Sequence, residues 1–589
     1  MPSKIVKIRF MRSCLIRFVI MANVQFLLKT NTFFRLIPHK TVLFILAFFI
    51  KSLLLSQNQI ITIHKAKKIY VCDTAWTTAE VIATQGDRIV FTGTLDSAKK
   101  LYPTAKIKKH RGYMYPGFID AHCHFLAHCR GTKELNLWGI QDLSKIQKAI
   151  KKFTRKNKKR EWIVGRGWDQ NTFKNKTFPT WKDLEKFSDK PVILSRIDGH
   201  AIWLNRIALE TLNLNYDTLI NGGEIIKLSN GSPSGIFVDL AADWIQQYIP
   251  KLDEKTLVKA IKCEAKKCHK LGLTTLDEAG LEFEELGFYD RLHKNGTLKM
   301  RIYAMLLANP ENLVHLVKRD LPWSWNLHVP AVKIFLDGAL GSRGALLKND
   351  YCDRHGHHGL QLMKRSEFSG TLSLLYKLNY QACVHAIGDS ANAIVAQEFA
   401  RYLEPGFDAR WRIEHAQIMD PKDQKLISGR SIIPSVQPTH ATSDAPWAFN
   451  RLCSDSSQKR GLKFYEPRTG AYAYKDLLNQ ANCIALGTDF PVENMNPFAT
   501  FYSAVFRKDL NGNLDVPFIE NQSLSRKEAL WGMTYWAAFA NKEESYKGSL
   551  EKGKLADFII INKDLLQAEE KEIKRAKVKK TYIGAERVR

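Results

Sequence analysis

Eight short apolar segments between Tyr115 and Asp489 constrain what this chain can fold into more than any other feature. They are Tyr115–His124, Leu273–Glu278, Met300–Leu306, Ala331–Asp337, Gln381–His385, Trp411–His415, Ser431–Gln437 and Cys483–Asp489. Each has the length of a strand, and most close in polar or ionisable residues. Helix-forming stretches such as Asn392–Leu403 and Pro421–Ser428 intervene. Repeated strand-then-helix units predict an α/β chain with a parallel sheet, and eight of them predict a (β/α)8 TIM barrel. In that fold the chemistry gathers at the C-terminal ends of the strands, where these histidines and acids stand.

The flanks have a different pattern. Ile60–His64, Lys68–Val71, Ala79–Thr84 and Arg88–Phe91 are short strands divided by turn residues, and Leu555–Asn562 and Lys579–Gly584 resemble them at the far end. Residues 57–114 and 549–589 are expected to form one β-sandwich from both chain ends, with the catalytic barrel, 115–548, between them. About 150 residues separate the first two barrel segments, too many for one crossover. Residues 130–268 are therefore expected to be a subdomain inserted after the first strand, over the barrel mouth.

Residues 1–56 are basic and apolar. Thr41–Ser56 combines a basic flank, a short apolar run and a small residue before Gln57, in the manner of a secretory signal. Lys51 interrupts the run and argues against a stable span. The expectation is an exported or membrane-associated protein, tethered or cleaved at this segment. The alternative is a cytoplasmic enzyme with an N-terminal extension, and Met11 and Met21 are further candidate starts.

The first barrel segment carries the sharpest chemical signal. His122 and His124 are two apart, so on a strand both imidazoles face one side and Cys123 the other. Two neutral imidazoles so placed can hold one divalent cation; two unrelated surface histidines are the plain alternative. Other strand ends add His385, His415 and Asp489. The first two could be hydrogen-bonded core histidines, and Asp489 could cap the next helix. Lys333 is harder to explain as structure, because a lysine inside Val-Lys-Ile-Phe-Leu must pair, lose its charge or change chemically. Addition of CO2 to its amine would give a carbamate, an anion with two oxygens.

The set PGFIDAHCH, AVKIFLDGALGSRGA, VHAIGD, RIEHAQ and GTDFPVE resembles the amidohydrolase superfamily, and within it the YtcJ-like branch that includes N-substituted formamide deformylase. The resemblance runs from about Ile60 to the C-terminus. It implies a site of one or two divalent metals, usually zinc. His122 and His124 would hold the first with Asp489, a carbamate on Lys333 would bridge, and His385 and His415 would hold the second. It also implies hydrolysis of a carbon–nitrogen bond in a non-peptide, N-substituted formamide-like amide by metal-activated hydroxide, with Asp489 moving the proton. A cyclic amide, amidine or ester substrate is the enzymatic alternative, and a metal-free scaffold protein the non-enzymatic one.

Substrate contacts are assigned more loosely. Trp168, Asp169, His200 and Trp203 in the insertion match segments of the same branch and either line the pocket roof or pack the subdomain. Asp337 and Arg343 follow the lysine strand. Gln437 and His440 close the seventh strand, and Glu278 the second. The expected partner is a small-molecule amide, on a monomer or homodimer. A net charge of +29 would suit nucleic acid or an anionic membrane. The positive runs, Lys151–Arg160 and Lys571–Lys580, are solvated faces with no nucleic-acid motif, so no nucleic-acid partner is expected. The ten cysteines contain no CxxC pair, and reduced, buried thiols are expected in place of a disulfide framework.

Overall fold

The computed structural model describes residues 60–452 and 470–589. The expectations for residues 1–56 lie outside them. No helix among the described residues is long and apolar enough to cross a membrane.

All eight predicted barrel segments form neighbouring parallel strands in chain order: Phe118–Cys123, Leu273–Leu281, Arg301–Leu307, Leu327–Phe335, Gln381–Ala386, Trp411–His415, Ile432–Val436 and Ala485–Leu486. The seam between last and first is closed beyond the ladder, where the Asp489 amide donates to the His122 carbonyl at 2.7 Å. Gly487 permits this approach, since a Cβ there would lie 2.5 Å from His122 N. The strands are buried on both faces, as parallel strands under crossover helices must be.

Both chain ends build one sheet. Strand Phe558–Ile561 pairs antiparallel with Tyr113–Pro116, which passes through Gly117 into the first barrel strand. Tyr113–Pro116 also pairs with Thr62–Tyr70 from the N-terminal side. Ile69, Ile82, Met114, Phe558 and Ile560 fill the core of this unit. The apolar alternation read at both termini thus closes on itself and anchors the barrel's first strand.

The insertion has its own six-stranded mixed sheet, spanning Leu135–Asn136 to Pro233–Asp239. Helix Glu254–Leu271, most of it within the segment 130–268 assigned to the insertion, packs on the helix after the first barrel strand and leads straight into the second. It serves as the first crossover helix. Asp253 caps its start by accepting from the Thr256 amide, and Gly272 ends it at φ +88°.

The cysteine expectation needs one correction. Cys352 is disulfide-bonded. Cys72, Cys123, Cys129, Cys268, Cys383 and Cys483 are buried free thiols, and Cys263 is an exposed one. Spacing alone did not mark Cys352 as different.

Candidate metal centre

The barrel's C-terminal mouth brings together His122, His124, Lys333, His385, His415 and Asp489. His124 Nε2 lies 3.2 Å and His122 Nε2 3.8 Å from Asp489 Oδ1. His440 Nε2 lies 3.6 Å from Asp489 Oδ2. Lys333 Nζ is 3.4 Å from His122 Nε2. The His385 and His415 rings pack with centroids 4.5 Å apart, and those of His122 and His415 4.8 Å apart. Ligand atoms of two trios, His122/His124/Asp489 and His415/His440/Asp489, each fall within 4.8 Å of one another.

Oxygens behind the imidazoles fix their tautomers. His122 Nδ1 meets Glu414 Oε2 at 2.6 Å, and His124 Nδ1 donates to the Ala279 carbonyl at 3.0 Å. His415 Nδ1 meets Gln437 Oε1 at 2.7 Å, and His385 Nδ1 meets Asp337 Oδ1 at 3.1 Å. With the proton on Nδ1, each ring turns an Nε2 lone pair to the centre, the usual arrangement behind metal-binding histidines. Asp489 Oδ1 and His440 Nε2, both buried, have no hydrogen-bond partner among the described residues.

Converging lone pairs and a carboxylate form a group that could hold a cation. A second proton on an imidazole is disfavoured. Burial and then Lys333 push His122 down to about 4, although Glu414 opposes them. Burial also pushes His385 and His415 well below the ordinary range, with neighbouring imidazoles and Lys333 adding to the effect. Burial opposes ionisation of Asp489 as well, but the contact with His124, and then the nearby His122 and His440 imidazoles, favour it more and hold the carboxyl well below the usual carboxylate range. Burial lowers the Lys333 amine, with Glu414 and Asp489 pulling the other way. The donor set therefore fits a divalent cation better than it fits protons.

Backbone strain aims these groups. His415 and Ala416 have φ of +72° and +41°, so the strand's alternation breaks and both Glu414 and His415 reach the barrel interior. Asp489 has φ of +59°. Non-glycine residues in this region cost energy and cluster at functional sites.

A cavity with about 790 Å³ of atom-free space, its open mouth included, lies over these groups. It is lined from the insertion by Asp169, Arg196, Asp198 and His200, and from the barrel by His124, Lys333, His385, His415, His440 and Asp489. His200 Nδ1 is 2.7 Å from Asp239 Oδ1, itself at φ +51°. Burial opposes a charge on His200, but the bond to Asp239 outweighs it and lifts the imidazole to about 9.

Other sequence-assigned residues stand behind the cavity. Trp168 and Trp203 are fully buried in the insertion's core, with their indoles donating to the Leu194 and Thr180 carbonyls. They pack the subdomain and do not line the cavity. Asp337 accepts from the Ile387, Gly388 and Leu346 amides and orients His385. Gln437 orients His415. Arg343 turns away to Asp353, 2.9 Å distant. Glu278 accepts from the Phe125 and Leu126 amides and so anchors the turn after His124. Glu414 was not picked out from sequence, because strict alternation would place it opposite His415.

A profile of the amidohydrolase family matches residues 112–589. The chain belongs to the amidohydrolase family. Among curated proteins it is similar to YtcJ of Bacillus subtilis, 29% identical over 86% of this chain and 95% of that protein. It is likewise 29% identical to LONG AFTER FAR-RED 3 of Arabidopsis thaliana, over 88% of this chain and 90% of that one. N-substituted formamide deformylase of Arthrobacter pascens is 23% identical over 86% and 94%. Among solved structures, an uncharacterized metal-dependent hydrolase from Pyrococcus horikoshii superposes with a TM-score of 0.68 at 26% identity, covering 87% of this chain and 99% of that one. This amidohydrolase carries the family's hydrolase scaffold, with the six expected residues gathered at one end of its barrel.

Proposed function

We propose that this amidohydrolase is a metal-dependent hydrolase of a small non-peptide amide, with an N-substituted formamide as the starting substrate class. The observation that carries the reading is the convergence of two trios, His122/His124/Asp489 and His415/His440/Asp489, whose ligand atoms each lie within 4.8 Å of one another, with buried Asp489 Oδ1 and His440 Nε2 lacking a hydrogen-bond partner among the described residues. His122, His124 and Asp489 would hold one metal, and His385 and His415 a second. A divalent metal held there, zinc by family resemblance, supplies Lewis acidity towards the carbonyl and lowers the pKa of water towards neutrality. The similarity to N-substituted formamide deformylase supports the choice of amide.

The chain's own groups account for the rest. Burial favours the neutral Lys333 amine, the form that adds CO2. Addition of CO2 to that amine would form a nitrogen–carbon bond and release one proton to water in the cavity, leaving a carbamate whose two oxygens would be available to a metal. Asp489 faces both the imidazole cluster and the cavity, placing it to accept a proton from water and return it to the leaving nitrogen. The insertion closes the cavity wall opposite through Arg196, Asp198 and His200, which limits access to small molecules.

The test is hydrolysis of a panel of N-substituted formamides and other small amides by purified protein. Amine release that is abolished by a chelator and restored by added zinc supports the reading. Amine release that is indifferent to the chelator, or absent across the panel with metal present, contradicts it.

A further inference from the structure

The protein is strongly basic, yet its cavity is acidic. Asp169, Asp198, Asp444, Asp489 and Glu493 line it, against Arg196, His200 and Lys333 as the basic side chains, and His200 is held by Asp239. Arg196 is already committed: its guanidinium holds Asp169, Asp198 and Gln170. Asp489 belongs to the imidazole cluster. Asp444 and Glu493 remain, and neither has a cationic partner among the described residues. Asp444 Oδ2 accepts from Gln417 Nε2 at 2.9 Å and from the Tyr472 hydroxyl at 2.8 Å. Glu493 Oε1 accepts from Ser443 Oγ at 2.5 Å. Neutral donors thus pin one oxygen of each carboxyl, and no guanidinium or ammonium group among the described residues pairs with either.

Ionisation of both groups is opposed where no cation faces them. Burial and then Glu493, against the Tyr472 bond, push the Asp444 carboxyl well up. Burial and Asp489, against the Ser443 bond, push Glu493 to about 7. Trp447, one turn beyond Asp444, adds an aromatic wall to the same cavity. Carboxylates beside an indole form a seat for an organic cation. The spacing to the reactive end is also set. His440 and Asp444 are four residues apart on helix Pro438–Asp444, on the order of 6 Å along its axis. His440 lines the cavity with its buried Nε2 unpartnered.

We infer that the substrate carries a compact organic cation, such as an ammonium group, seated against Asp444, Glu493 and Trp447 while its amide lies towards the imidazole cluster. A spacer of a few methylene groups joins the two ends. The inference rests on the hydrolase reading above, and it deepens that reading by naming the substrate's charge.

The experiment compares N-(4-aminobutyl)formamide, neutral N-pentylformamide and anionic 5-formamidopentanoate on the full, zinc-supplemented chain. Binding is followed by calorimetry and turnover by amine release. The cation is expected to bind about tenfold or more tighter than the neutral probe, with the anion weakest. In Asp444→Asn/Glu493→Gln the cation-to-neutral ratio is expected to fall towards one. Unchanged melting temperatures for D444N and E493Q taken singly, each with an intermediate ratio, separate lost charge from lost fold. Equal or weaker binding of the cation, no binding of any probe, or a ratio that survives the double substitution overturns the inference. Selective binding of the cation without hydrolysis of any probe keeps the cation seat and overturns the hydrolase reading. Hydrolysis of all three probes with equal kcat/KM does the reverse.

Discussion

Substituting Gly487 by alanine would perturb the candidate metal centre without altering a ligand side chain. Gly487 lies at the end of the eighth strand against the backbone of His122. An alanine Cβ there would sit 2.5 Å from His122 N, 2.9 Å from its carbonyl oxygen and 3.0 Å from its Cα. Ordinary contact begins near 3.4 Å, so the first and eighth strands must part by about 0.9 Å (3.4 − 2.5). The obstacle is backbone, and no flexible side chain can swing away. The same strands carry His122 and Asp489 and are tied by the Asp489 amide to the His122 carbonyl. Metal–ligand distances tolerate roughly 0.2 Å, so a displacement several times larger should cost about 10–100-fold in metal affinity. Overpacking should also cost about 1–3 kcal/mol of stability. Zinc affinity by chelator competition and the melting temperature are the readouts. Gly370→Ala is the control: it sits in helix Arg365–Leu378 with open space around the new methyl, and should be about 0.5–1 kcal/mol more stable with unchanged zinc affinity. A Gly487→Ala protein with the parent's affinity and melting temperature would refute the argument that strand contact sets the ligand geometry.

Glu414→Ala removes the acceptor behind His122 and frees its ring to rotate, so zinc affinity should fall about 10–100-fold; an unchanged affinity in the chelator assay would remove Glu414 from the centre. The buried pair His64 and His110, 3.1 Å apart in the terminal sheet, predicts acid lability. Burial first, and then neighbouring positive charge, push them to about 3 and about 4. Both folded values lie below the unfolded one, so the unfolded chain binds protons first and stability falls as pH drops below about 6.5. The loss should reach about 2 kcal/mol per imidazole at pH 5. Denaturant midpoints from pH 7 to 5 should flatten in His64→Gln/His110→Gln, and an unflattened profile would count against the pair.

Much of this architecture is legible in the sequence for a physical reason. Parallel barrel strands are buried on both faces and stand out as short apolar runs, and the terminal strands alternate because one face packs on the core. The ligands are legible because a polar residue closing such a run has few structural uses, Lys333 above all. The support behind the ligands is not. Glu414 faces the same interior as its neighbour His415 only because His415 and Ala416 adopt positive φ, which no spacing rule anticipates. Asp337 and Gln437 resemble substrate contacts by position, yet they hold His385 and His415, because tertiary hydrogen bonds decide which way a strand-end side chain turns. Trp168 and Trp203 sit in glycine-containing segments that suit either a pocket roof or subdomain packing, and the insertion's own small core takes them. Nor does sequence count charge inside a cavity. The acidity around Asp444 and Glu493 emerges only when strands seven and eight lie side by side within a basic protein.

The proposed hydrolase rests on a metal centre at the barrel mouth, bridged through a modified Lys333. Elemental analysis of the purified full chain, with Lys333→Ala prepared in parallel under bicarbonate and zinc, tests it most directly. About two metals per chain are expected in the parent, with a clear fall in the variant. About one metal in both would contradict the bridging lysine, and none in either after reconstitution would contradict the metal centre itself.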